Sequence, residues 1–248
     1  MASREEMSTS FGSAAGVYES GRPEYPLEAV AWLLESVTGP DHRARVADVG
    51  AGTGKLTRAL VELGAETVAI DPDHAMLVAL STAVHGVPTF VGTGERMPLP
   101  AESVDAVVFG QAWHWVDAAT ASLEVARVLR PEGVLGLIWN VRDERVEWVR
   151  RLTEIMHGSA AEAMIAEGGP EPHPPFTGFE QRTWGWKRPL TRAAFLDMVA
   201  SRSYIITAAA DERDRILGEV GMLFDEIGGA RDAVDLPYRT EAFRGMRP

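Results

Sequence analysis

From residue 44 to about 140, short apolar runs alternate with segments whose apolar residues recur at helical spacing. Arg45–Val49 reads as a buried strand that stops at Gly50, and Leu56, Ala59, Leu60 and Leu63 then fall on one helical face closed by Gly64. Thr67–Ile70 predicts a second strand, followed by Asp73 as cap of a helix carrying Met76, Leu77 and Leu80. Thr89–Val91 and Val104–Phe109 predict a third and a fourth strand. Asp117 opens a helix through Leu123, Ala126 and Leu129, and the turn Pro131-Glu132-Gly133 leads into a fifth strand, Val134–Trp139. Such alternation predicts parallel strands joined by right-handed helical crossovers, a doubly wound α/β sheet. In that architecture ligands bind beyond the carboxyl ends of the strands, where the strand order reverses. The stretches to inspect are therefore Gly50–Gly54, Asp71, Gly92–Glu95 and Gly110–Trp115.

The flanks are patterned differently. A helix is expected over Leu27–Val37, and residues 1–43 are expected to form an N-terminal helical lid ahead of one main domain, 44–248. Residues 157–178, rich in Gly, Pro, Ala and Glu, read as a mobile surface insertion. Beyond it a strand is expected at Arg182–Trp186, a helix capped by Thr191 through Val199, and another helix at Glu212–Ile227. A last strand is expected at Val234–Arg239, where Pro237 argues for an edge position or a bulge.

Composition narrows the chemistry. The 248 residues include no cysteine, so thiolate metal sites, disulfides and thiol nucleophiles are excluded. The six histidines are scattered without paired spacing, and no metal is expected. A net charge of −12 with no long Lys/Arg cluster argues against nucleic acid as partner. No apolar run approaches a membrane span, and the opening MASREEMSTSFGSAAG has no signal-peptide pattern, so a cytoplasmic protein is expected.

The strongest chemical signal is Asp48-Val49-Gly50-Ala51-Gly52-Thr53-Gly54 between a strand and a helix. Glycines there let the backbone turn sharply and approach a ligand closely. Lys55 stands where a dinucleotide fingerprint would place its third glycine, and no Walker-type Gly-Lys-Ser/Thr follows. Asp71, at the end of the second strand, is positioned to accept both hydroxyls of a ribose. Glu95 follows the third strand, where a loop can border a base. His114 follows the fourth strand as a candidate general base. Tyr18, Tyr25, Trp113 and Trp115 are candidates to surround a cation, and Arg22 to pair with a carboxylate.

Taken together, Asp48–Gly54, Asp71-Pro72, Gly92–Glu95 with Met97-Pro98-Leu99, and Leu129–Gly133 resemble the class I S-adenosylmethionine-dependent methyltransferases. Phe11-Gly12, Gly21–Pro26, Gln111–Trp115, Trp139–Asp143 and Leu236–Thr240 are similar to the small-molecule branch that includes trans-aconitate methyltransferase-like proteins. The resemblance implies a seven-stranded, mostly parallel sheet with an antiparallel last strand, and S-adenosylmethionine as methyl donor to a small-molecule substrate. It also implies roles for individual residues. Gly50, Ala51, Gly52 and Gly54 form the loop under the methionine and ribose. Asp71 holds the ribose, Pro72 packs on the adenine, Gly94 and Glu95 border it, and Gln111 lies beside the sulfonium. The segment 1–26, with Tyr18, Arg22 and Tyr25, is expected to close over the site. A nicotinamide-linked oxidoreductase and a non-catalytic binding protein of the same fold are the alternatives.

Overall fold

The computed structural model describes residues 23–206, 208–228 and 232–248. Tyr18, Arg22 and most of the expected lid lie outside the described residues. In chain order the elements are α1 (Leu27–Leu34), β1 (Arg45–Val49), α2 (Lys55–Glu62), β2 (Glu66–Asp71), α3 (His74–Ala83), β3 (Thr89–Val91) and β4 (Val104–Gly110). A short 3-10 turn, Trp113–Trp115, leads to α4 (Ala118–Val128), β5 (Leu129–Arg142), α5 (Glu147–Met156), α6 (Ala160–Ala166) and β6 (Glu180–Thr191). Then follow α7 (Arg192–Ala200), α8 (Ser203–Ile206), α9 (Ala210–Gly228) and β7 (Ala233–Met246).

The strands form one seven-stranded sheet in the order β3-β2-β1-β4-β5-β7-β6, parallel except for β7, which runs antiparallel to both β5 and β6. This is the doubly wound, Rossmann-like arrangement that the alternating pattern predicts. Its order reverses between β1 and β4, so a crevice opens above their carboxyl ends. Alternate residues supply the two faces of the sheet. Val46, Val108 and Ile138 pack under α1 and α2, while Ala47, Phe109 and Trp139 pack on the opposite face with α4. Helix α1 is part of this core, with Ala29, Val30 and Leu33 fully buried. Val30 and Leu33 each contribute roughly 1.5–3 kcal/mol by leaving water.

Several sequence expectations change. In α4 the buried stripe is Ala121, Val125 and Val128, while Leu123 is 63% exposed. Asp117 still caps that helix, accepting from Thr120 N at 2.8 Å. Residues 157–178 are not a loose surface insertion. Ser159 and Glu162 form a reciprocal capping box for α6, and Ala161 and Phe176 are buried in the core against the sheet. Helix α5, whose buried face is Val149, Leu152 and Met156, is masked in the sequence by the charged run Arg142–Arg145 before it and by Glu147, Arg150, Arg151 and Glu154 within it.

Pro237 is not on an edge, because β7 lies between β5 and β6. The carbonyl of Pro237 accepts from Asp143 N at 3.0 Å, just past Arg142↔Tyr238, the last β5–β7 pair. In an antiparallel strand the N and O of one residue face the same neighbour. The proline nitrogen thus faces the Asp143 carbonyl, which accepts instead from Val146 N at 3.1 Å, so no acceptor is left unpaired.

Candidate active site at the strand crossover

The loop after β1 is built by glycines in the left-handed region, Gly50 at φ +70, Gly52 at +54 and Gly54 at +92. At Gly50 a Cβ would sit 2.5 Å from Ala112 Cβ, so the β1 and β4 loops touch only because this side chain is absent. At Gly52 a Cβ would meet nothing within 4 Å. Open space therefore lies over Gly52.

That space belongs to a pocket whose walls include Gly50, Ala51, Gly52, Gln111, Tyr25 and Asn140. Of the residues singled out in the sequence, Gly50, Ala51, Gly52, Tyr25 and Gln111 line it. Gly54 lies just behind it as the N-cap of α2, against Leu80. Asp71 is not one of the pocket's walls but shapes the loop from beside it. Its Oδ2 accepts from Gly52 N and its Oδ1 from Asp73 N, each at 2.8 Å. Burial raises the Asp71 pKa, and the two backbone N–H donors oppose that rise. A carboxylate has about four lone-pair positions, so two remain for a ligand.

Gln111 has φ +56, held by its N–H on Ile138 O at 2.9 Å and by Nε2 on Asn140 O at 2.8 Å. Asn140 is tied in turn, its Oδ1 accepting from Thr240 Oγ1 at 2.6 Å and its Nδ2 donating to Glu24 O at 3.1 Å. Asp48 and Asn140 are pocket residues to which the sequence reading gave no role. Asp48 is the penultimate residue of the first predicted strand and Asn140 directly follows the fifth, and this place at the carboxyl edge is the signal that finds them. Asp48 is fully buried, with Oδ2 accepting from Thr57 Oγ1 at 2.6 Å and Oδ1 without a partner. Burial pushes its carboxyl up to about 7, against the Thr57 hydrogen bond and with added repulsion from Asp71.

The remaining candidates sit elsewhere. Pro72 is half-buried beside Asp71. Gly94 is buried where a Cβ would meet Val116 Cγ1 at 2.9 Å, and Glu95 Oε1 accepts from Asp117 N at 2.7 Å, tying the β3 loop to α4. Trp113 is buried edge-on against Phe109, on the sheet face opposite the pocket. His114 packs by Trp115, and its Nδ1 accepts from Trp139 Nε1 at 3.4 Å. An indole N–H only donates, so the Nδ1 lone pair is engaged by Trp139 in this contact. His114→Asn is accordingly expected to change turnover less than about tenfold, below the 10²–10⁴-fold of a lost general base. A rate that collapses in the variant and falls at acid pH in the wild type would assign the base role to His114. Among the described residues, no group of three His, Asp or Glu side chains is placed to hold a metal ion, and no helix is long and apolar enough to cross a membrane.

This crevice, with its glycine loop and strand-end carboxylate, is the place where a nucleoside-type ligand sits in doubly wound folds. Residues 47–137 match the family described as a methyltransferase domain. An uncharacterized methyltransferase of Mycobacterium bovis is 51% identical over 244 residues, covering 98% of this chain and 97% of its own length. Among solved structures, a candidate type II methyltransferase from Anaeromyxobacter dehalogenans superposes with a TM-score of 0.62 at 23% identity, covering 91% of this chain and 96% of that one. Phosphoethanolamine N-methyltransferase 2 of Haemonchus contortus, in complex with S-adenosyl-L-methionine, superposes with a TM-score of 0.55 at 16% identity, covering 100% of this chain and 60% of that one. The likeness to both solved structures is one of fold. Over nearly its whole length and by its sheet order, the chain belongs to the class I S-adenosylmethionine-dependent methyltransferases.

Proposed function

We propose that the pocket between β1 and β4 binds S-adenosylmethionine and presents its methyl group to a small-molecule acceptor at O, N or C. The observation that carries this reading is the loop Gly50–Gly52, open above Gly52 and braced by Asp71. The residues present fit the cofactor in three respects. The space over Gly52 admits a ligand against bare backbone. Asp71 keeps acceptor capacity for two hydroxyls. Asp48 offers the pocket a buried Oδ1 with no protein partner, suited to a cationic or donor group.

When bound, S-adenosylmethionine supplies a methyl group activated by a positively charged sulfur. The protein's own share is alignment and exclusion of water, which in well-oriented systems is worth up to roughly 7–11 kcal/mol. Gln111, fixed through Asn140 and Ile138, and Tyr25, whose hydroxyl lies against the neighbouring Gly110, define the direction from which an acceptor approaches. Pro72, Gly94 and Glu95 are proposed as the adenine end, with backbone contacts prevailing because the Glu95 carboxylate is turned to Asp117. Trp115 and His114 are proposed to border the acceptor, His114 as a neutral wall. The acidic surface and the likeness to the trans-aconitate methyltransferase-like branch both support a small molecule over nucleic acid as acceptor.

Calorimetric titration with S-adenosylhomocysteine tests the assignment. Asp71→Ala removes a charged acceptor and leaves Gly52 N and Asp73 N unsatisfied, so affinity is expected to fall by about 1–3 kcal/mol, up to roughly a hundredfold. Unchanged affinity in a folded variant would remove Asp71 from the site. Labelled methyl transfer into a metabolite extract then identifies the acceptor.

A further inference from the structure

The segment just before α1 runs along the pocket in extended form, with side chains alternating. Pro23 and Tyr25 are buried and line the pocket, while Glu24 between them points outward. The Glu24 carboxylate meets two cations of α2, Lys55 Nζ at 2.9 Å and Arg58 Nη1 at 2.8 Å, both on Oε1. Lys55 and Arg58 are three residues apart and so share one helix face. The Glu24 backbone carbonyl accepts from Asn140 Nδ2 at 3.1 Å, which ties the same residue to the end of β5. Downstream the segment is anchored by α1, whose first amides at Ala29 and Val30 bond Pro26 O and whose apolar face is buried. Gly110 completes the fit, since a Cβ there would lie 2.8 Å from the Tyr25 hydroxyl oxygen.

We propose that Glu24 is a positioning residue for the cofactor. Held by Lys55 and Arg58 on one side and Asn140 on the other, it fixes Pro23 and Tyr25 as a wall of the pocket. The inference rests on the cofactor reading above. It also explains Lys55, which occupies the position of the third glycine in a dinucleotide fingerprint. Here the side chain at that position reaches over the loop to fasten the strap, and only 11% of it is exposed. The Glu24 carboxylate itself is 55% exposed, so the clamp is screened by salt and contributes little to global stability. Its effect falls on the wall it aligns.

The test is calorimetric titration with S-adenosylhomocysteine at about 20 mM and about 500 mM salt, together with thermal unfolding without ligand. Glu24→Gln is expected to weaken binding about three- to tenfold at low salt, with the melting temperature nearly unchanged. Arg58→Gln is expected to weaken it in the same direction although Arg58 does not line the pocket, and the double variant to lose less than the product of the two. High salt should bring wild type and variants together. Equal affinity of wild type and both variants at low salt overturns the clamp while leaving the cofactor site standing. A melting temperature that falls in step with affinity overturns it too, since Glu24 is then merely structural. A wild type that does not bind S-adenosylhomocysteine overturns the cofactor reading and the clamp together.

Discussion

Replacement of Gly52 by valine is expected to abolish cofactor binding while the fold survives. Gly52 has φ +54, a region that a β-branched residue enters at a cost of about 1–3 kcal/mol. No atom stands within 4 Å of the added Cβ, so the side chain projects into the open pocket instead of the core. It would occupy the place assigned to the ligand, and affinity should drop a hundredfold or more, about 3 kcal/mol. Gly50→Ala is the contrasting control. Its methyl would sit 2.5 Å from Ala112 Cβ and must push the β1 and β4 loops apart, so stability and binding should fall together. Calorimetry with thermal unfolding separates the two patterns, and a Gly52→Val protein that binds normally would place the ligand elsewhere.

The largest effect on stability is expected from Glu162→Gln. Arg142, at the end of β5, has a side chain only 1% exposed, and its Nη2 lies 2.9 Å from Glu162 Oε1. Burial alone would raise the Glu162 pKa, but the charges of Arg142 and Arg202 and the hydrogen bonds from Ser159 outweigh it and hold it at about 2. Glutamine keeps the size and can still serve the α6 capping box. The substitution thus removes the charge and little else, and an uncompensated buried guanidinium typically costs about 3–5 kcal/mol. The depressed pKa sets the pH dependence. The contribution is fully present above the ordinary value of 4.5 and is lost as pH falls from there through about 2. Urea unfolding at neutral pH should show the loss in the variant, and the gap to wild type should narrow in acid. A variant as stable as wild type at neutral pH would contradict this role for the ion pair.

Much of the fold was legible because strands buried on both faces leave continuous apolar runs. β1 stands at its predicted residues for that reason, β3 does so although it is a mostly exposed edge strand, and the caps Asp73, Asp117 and Thr191 do what their side chains suggest. The losses have physical causes. Leu123 looked like core because leucine is apolar, yet Ala121 and Val125 occupy the buried side, where the helix approaches the sheet closely. The segment 157–178 looked loose by composition, but its capping box and the single aromatic Phe176 decide its packing. Pro237 misled because a proline's missing donor matters only on the side where a neighbour strand continues. At the candidate site, the glycine loop and Asp71 could be read from local pattern, and Gln111 from the family resemblance. The Glu24, Lys55 and Asn140 ties could not, since they join residues 31 and 116 positions apart.

A crystal structure of the complex with S-adenosylhomocysteine tests the central claim most directly. The ligand is expected in the pocket over Gly50–Gly52, with its ribose hydroxyls on the Asp71 carboxylate and Gln111 and Tyr25 beside the sulfur end. A ligand bound elsewhere, or one that leaves Asp71 without a contact, would contradict it.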